Sequence, residues 1–163
     1  MWSTQHSADP SMGTVSCADA LQEAFMAESV RVLLVDDCEP WRQHVRSILL
    51  TRPELRVVAE VADGLEAVQK AQELRPDLIL LDIGLPTLNG LKAANRIGKV
   101  APEAGILFLT QNSDKDIEHA ALSTGAHGYI LKVDAGTELL PAVAGFLGGD
   151  KSVSRGSKRA ILA

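Results

Sequence analysis

The chain has only two cysteines, Cys17 and Cys38, which stand in segments of different character with no Cys-x-x-Cys or Cys/His spacing around them. That excludes a zinc ribbon or knuckle and leaves two thiols expected to be free in a reducing compartment. Cys38 directly follows two acids, and neighbouring carboxylates disfavour a reactive thiolate. Basic residues are in the minority, 16 Lys and Arg against 21 Asp and Glu, for a net charge of −5. No general field therefore draws the protein to nucleic acid or to an anionic membrane. Apolar runs are short, none approaching the ~20 residues that span a bilayer. The N-terminus also lacks the basic start and apolar core of a secretory signal, so the expected location is cytoplasmic.

What is present is enough for one compact domain: 163 residues, 46% of them hydrophobic. Residues 1–29, rich in Ser, Ala, Gly and Asp, read as a flexible extension with at most a turn or two of helix near Ala20 to Met26. From Val30 onward, short apolar runs alternate with segments of helical period. The strand candidates are Val32–Val35, Val57–Ala59, Leu78–Leu81, Ile106–Thr110 and Tyr129–Lys132. Between them, the helix period places inward Trp41, Val45, Ile48 and Leu49; then Ala67, Val68, Ala71 and Leu74; then Leu91, Ala94 and Ile97. A weaker helix from Asp114 to Thr124 carries Ile117, Ala120 and Ala121 inward. The last, from about Thr137, carries Leu140, Val143 and Leu147, with Pro141 expected in its opening turn. Residues 149–163 read as a flexible tail, leaving 30–148 as the domain.

The strands are solidly apolar rather than alternating, the pattern of a parallel sheet covered by helices on both faces. Five βα units give a doubly wound α/β domain. In such sheets ligands collect beyond the carboxyl ends of the strands, where strand order reverses. Asp36, Asp37, Asp82, Thr110 and Lys132 all stand at those ends. Three carboxylates sharing a crevice repel by about 4 kcal/mol per pair at 4 Å and an effective dielectric near 20. Something positive must sit among them. Lys132 supplies one charge, and hard oxygen donors with open positions suit Mg²⁺ together with a phosphoryl oxygen. A carboxylate so placed is an adequate nucleophile toward phosphorus.

Residues Arg31 to about Leu147 resemble the receiver domain of bacterial two-component response regulators. The resemblance is carried by Val32-Leu33-Leu34-Val35-Asp36-Asp37, by Pro76 to Pro86 with Asn89-Gly90, by Leu109-Thr110, and by Gly125 to Lys132. It implies a flavodoxin-like, five-stranded parallel sheet of order 2-1-3-4-5. It further implies Asp82 as phosphoacceptor and Mg²⁺ held by Asp36, Asp37, Asp82 and the backbone carbonyl of Gly84. Lys132 would steady the phosphoryl group, Thr110 would bond it, and Tyr129 would follow inward as the aromatic switch. The implied partners are a sensor histidine kinase or phosphotransfer protein, and a second copy through the domain's fourth helix (from Asp114), fifth strand and fifth helix (from about Thr137). Enzymatic turnover is not expected beyond the protein's own phosphorylation and slow dephosphorylation.

Two residues depart from the usual pattern: Gln111 stands where a small residue is common, and Val133 where many receivers have proline. The run Lys132-Val133-Asp134-Ala135 is similar to the receivers of LuxR-type regulators, but Gly148 to Ala163 is too short for a helix-turn-helix, so direct DNA binding is not expected. Competing readings are weaker. A flavin carrier needs a hydroxyl- and glycine-rich phosphate loop where this chain has Asp36-Asp37-Cys38-Glu39. A phosphohydrolase needs two acids spaced two apart on the first strand, and Asp36-Asp37 are adjacent. A docking or dimerisation module that works without phosphorylation is the main alternative. Asp63 and Asp114 are read as helix N-caps. His44, His119 and His127 lack metal spacing and are read as surface or packing residues. Trp41 is read as packing.

Overall fold

The computed structural model describes residues 16–27 and 29–149. Its five strands are β1 (Val30–Val35), β2 (Leu55–Val61), β3 (Leu78–Leu81), β4 (Gly105–Thr110) and β5 (Gly128–Leu131). The helices are α1 (Cys17–Ala27), α2 (Glu39–Leu49), α3 (Gly64–Leu74), α4 (Gly90–Val100), α5 (Lys115–Ser123) and α6 (Ala135–Leu147), the last preceded by a 3₁₀ turn over Lys132–Asp134. All strand pairs are parallel, in the order β2-β1-β3-β4-β5. This is the flavodoxin-like order, with its reversal between β1 and β3.

The unbroken apolar strands are explained by a core on each face. Leu33 and Val35 of β1, with Ile79 and Leu81 of β3, pack under α3, α4 and α5. Their alternates Val32, Leu34, Leu78 and Leu80 pack under α2 and α6. Successive side chains of a strand point to opposite faces, and here both faces are covered by helices.

Local chemistry sets the helix ends. Asp63 caps α3 by accepting from the Leu65 N–H, and Asp114 caps α5 by accepting from the Asp116 N–H. Asn89 accepts from the Lys92 N–H and starts α4. The α3 C-cap Arg75 takes a left-handed conformation, φ +44°. There the Arg31 guanidinium donates to the carbonyls of Leu74 and Arg75, two of the groups that a helix end leaves open.

Several details differ from the sequence expectation. Helix α1 is 11 residues long, well beyond a turn or two. Strand β2 extends on both sides of Val57–Ala59 because it is an edge strand whose polar members, Arg56 and Glu60, hide it from an apolar-run reading. Lys132 lies just past β5, in the 3₁₀ turn. That turn starts α6 early, so Pro141 falls inside the helix, where its missing N–H leaves the Thr137 carbonyl without an intrahelical donor. Leu140 packs half-buried against the core and Val143 is buried as expected, but Ala135, Leu139 and Ala142 join them on the inward face of α6, and Leu147 is 45% exposed. In α5, Ala121 is buried and Ala120 is exposed. The expected tail from 149 lies, apart from Gly149, outside the described residues.

Candidate functional site

Register brings the acids together. Val35 pairs with Leu81 across the β1–β3 ladder, so the residues that follow, Asp36 and Asp82, leave the sheet side by side at its reversal point. Both are buried, at 1% and 7% exposure, while Asp37 is exposed. One oxygen from each of the three carboxylates can be chosen so that all lie within 4.8 Å of one another. Thr110 pairs with Leu131 on the next ladder, which delivers a buried hydroxyl and, one residue on, the buried Lys132.

Lys132 reaches between the acids. Its Nζ is 2.5 Å from Asp36 Oδ2 and 3.4 Å from Asp82 Oδ2. The indole of Trp41 covers the same ammonium, with 5.3 Å from Nζ to the ring centroid, an attractive placement for a cation. The other carboxylate oxygens are held by backbone: Asp36 Oδ1 accepts from the Cys38 N–H at 2.9 Å and Asp82 Oδ1 from the Ile83 N–H at 2.8 Å. Gly84 follows on the loop after β3, and a Cβ there would stand 3.9 Å from Asp82 Oδ2, so the residue borders the carboxylate.

Thr110 Oγ1 accepts from the Asn112 N–H at 3.1 Å, and the Tyr129 hydroxyl donates to the Asn112 carbonyl. Tyr129 is therefore tied to the β4–α5 loop that begins at Thr110, with its ring already inward at 3% exposure. Burial pushes the Tyr129 phenol above its ordinary value, the carboxylates of Glu118 and Asp114 add to this, and the Thr110 hydrogen bond opposes it. Beside the site a groove of about 780 Å³ opens over Trp41, Thr110, Gln111, Lys132 and Val133. Gln111 thus flanks the approach to the hydroxyl and the amine.

Asp82 is the acid whose protonation is most visibly tuned. Burial raises its pKa, the Lys132 ammonium opposes the rise, and the Asp36 carboxylate adds to it. Between the ordinary value of 3.8 and the raised one, the folded chain holds a proton that the unfolded chain has released. Asp82's contribution to stability is therefore present at low pH and declines as pH rises through that window, leaving its carboxylate destabilising at neutral pH. Asp82→Asn is accordingly expected to raise the metal-free unfolding temperature at neutral pH. Scanning calorimetry in chelator should also give the variant a smaller decline across the acid range; a lowered midpoint would contradict this electrostatic picture.

The sequence offered seven candidate positions, Asp36, Asp37, Asp82, Gly84, Thr110, Tyr129 and Lys132. The structure brings Asp36, Asp37, Asp82 and Lys132 together, sets Gly84 beside Asp82, and lines the same groove with Thr110 and Lys132. Asp63 and Asp114 cap helices as expected, and His127 packs edge-on against Phe146 at 5.0 Å. Two neighbouring residues, Asn112 and Arg42, escaped the sequence reading, as did the contact of Trp41 with Lys132. The first two looked like ordinary loop and helix-surface polar residues.

Residues 32–144 match the family described as the response regulator receiver domain. The chain belongs to that family. Among curated relatives, the receiver is 38% identical over 115 residues to the response regulator protein VraR of Staphylococcus aureus, covering 71% of this chain and 55% of the relative. The chain thus spans about half the length of the curated relatives it matches. Among solved structures, the signal receiver domain of the response regulator NarL from Mycobacterium tuberculosis superposes with a TM-score of 0.71 at 30% identity, covering 75% of this chain and 98% of that one. A LuxR-family two-component response regulator from Aurantimonas gives 0.71 at 34% identity, covering 74% and 86%. The receiver is therefore of the LuxR-type group, and receiver domains of response regulators are signalling modules. Among the described residues no helix is long and apolar enough to cross a membrane.

Proposed function

We propose that this receiver, spanning residues 30–148, is a cytoplasmic phosphoacceptor switch whose accepting group is Asp82. The observation that carries the reading is the pairing of a buried strand-end carboxylate with a buried ammonium 3.4 Å away, inside a cluster of three acids. The donor set fits Mg²⁺: clustered carboxylate oxygens are hard ligands, and the exposed Asp37 leaves one side open to water and phosphate. Asp36, Asp37, Asp82 and the Gly84 carbonyl would hold the ion. When bound, it supplies positive charge that offsets the repulsion between an incoming phosphate and the acids.

An Asp82 carboxylate oxygen attacks phosphorus in line as the bond to the donor's leaving group breaks, and the leaving group keeps the electron pair. Lys132 then transfers its ion pair from Asp82 to a phosphoryl oxygen, while Asp36 keeps it oriented at 2.5 Å. Thr110 donates its hydroxyl to another phosphoryl oxygen. As its side chain moves toward the phosphoryl group it draws away from the Asn112 N–H, and the Asn112 carbonyl is what the Tyr129 hydroxyl holds. Phosphorylation is thereby read as a rearrangement of the Asn112 loop and the Tyr129 hydroxyl, since the ring is already buried. The surface that changes is α5, β5 and α6, the face proposed for a partner or a second copy. The donor is a sensor histidine kinase or phosphotransfer protein, and slow self-hydrolysis resets the switch.

Acetyl phosphate or phosphoramidate with Mg²⁺ is expected to add one acid-labile phosphate, seen by intact mass. Chelation or Asp82→Asn should abolish it. Folded wild-type protein that takes up no phosphate from either donor would favour a docking or dimerisation module that works without phosphorylation.

A further inference from the structure

Arg42 on α2 makes two contacts that no phosphoryl chemistry requires. Its Nη1 donates to the backbone carbonyl of Asp36 at 2.6 Å, and its Nε faces Glu60 Oε2 on β2 at 3.6 Å. Arg46 holds the same Glu60 from the next turn at 3.3 Å. The Arg42 side chain is 16% exposed, so the bridge is largely shielded from water. The carbonyl it grips belongs to the peptide unit joining Asp36 to Asp37. That unit is planar and stiff, so fixing the direction of its oxygen fixes the rotation of the plane and the position from which Asp37 departs.

Asp37 needs such help. Asp36 is held at its N–H by the Val61 carbonyl (3.1 Å), at Oδ1 by the Cys38 N–H and at Oδ2 by Lys132. Among the described residues no hydrogen bond holds the Asp37 side chain, and it is exposed. We propose that Arg42, braced by Glu60, is a positioning residue that orients the Asp36–Asp37 peptide so that both carboxylates meet a divalent cation together. The proposal rests on the Mg²⁺ reading of the acidic trio.

Its sign separates it from plain electrostatics. A guanidinium beside three acids weakens cation binding by charge alone, so removing it should tighten Mg²⁺ if charge were all that mattered. Positioning predicts the reverse. Titration calorimetry with Mg²⁺ is expected to show about tenfold weaker binding in Arg42→Gln, the low end for losing a group that orients a metal ligand. Arg42→Lys keeps the charge and one donor and should recover part of that loss. The Mg²⁺-induced rise in unfolding temperature should shrink in Arg42→Gln beyond any drop of the metal-free midpoint, which a merely structural role would leave unchanged.

Glu60→Gln removes the brace from the half-exposed end of the bridge and tests the idea if Arg42→Gln does not fold; about threefold weaker binding is expected. Equal or tighter Mg²⁺ binding in the folded variants overturns the role of Arg42. Absence of Mg²⁺ binding by the wild-type protein overturns instead the metal reading beneath it.

Discussion

Replacing Lys132 by methionine is expected to lower the unfolding free energy at neutral pH by about 3 kcal/mol and to abolish stable phosphate uptake. Methionine keeps the unbranched stem that lies against Trp41 but removes the only ammonium within reach of Asp36 and Asp82 among the described residues. Two buried carboxylates are then left facing each other without the ammonium that pairs with both, and an ion pair broken on one side leaves its other charge uncompensated. Because the penalty requires ionised acid, it should fade as pH falls and Asp82 takes up a proton. Added Mg²⁺ should also narrow the gap by supplying the missing charge. Urea unfolding with and without Mg²⁺, compared at unchanged m-value, measures both effects. Wild-type stability in chelator at neutral pH would mean that the ammonium does not neutralise the cluster.

The second large effect comes from a residue with no side chain. Gly90 opens α4 directly beneath the strand end that carries the acceptor. A Cβ there would lie 2.0 Å from the Asp82 carbonyl oxygen and 2.8 Å from the Ile83 Cα. Those are backbone atoms in a segment further pinned by the Gly90 N–H donating to the Ile83 carbonyl at 2.9 Å, so no flexible group can give way. Gly90→Ala is expected to destabilise by about 3 kcal/mol, the upper end for overpacking, and to slow phosphorylation by displacing the peptide that aims Asp82. Gly98→Ala in the same helix is the control. Nothing lies within 4 Å of its added Cβ, and the change should be neutral or stabilising by up to about 1 kcal/mol. Similar effects of the two changes would show that the close approach at Asp82 does not limit position 90.

The site was legible in the sequence for a physical reason. A strand buried on both faces must be apolar along its length, so the first polar or charged residue at its end marks where the chain emerges at the sheet edge. Asp36, Asp82, Thr110 and Lys132 each announce such an exit, and parallel topology sends every exit to one rim. The sheet was legible for the same reason wherever both faces are covered. It was not at β2, where an edge position admits Arg56 and Glu60. The register of α6 was lost because a 3₁₀ turn after Lys132 rotates the helix, turning Leu139 and Ala142 inward and Leu147 outward. Arg42 was invisible as a supporting residue. A cation on an amphipathic helix looks like a solvated charge until the fold sets it against the Asp36 carbonyl and Glu60. Interactions that depend on main-chain direction leave no pattern in a list of side chains.

Borohydride reduction tests the assignment of the acceptor most directly, because it converts an aspartyl phosphate to homoserine and records which residue carried the phosphate. After incubation with acetyl phosphate and Mg²⁺, peptide mass mapping is expected to find homoserine at position 82 alone, and none when chelator replaces Mg²⁺. Homoserine at position 36 or 37 instead, or a yield indifferent to the divalent cation, would contradict the account.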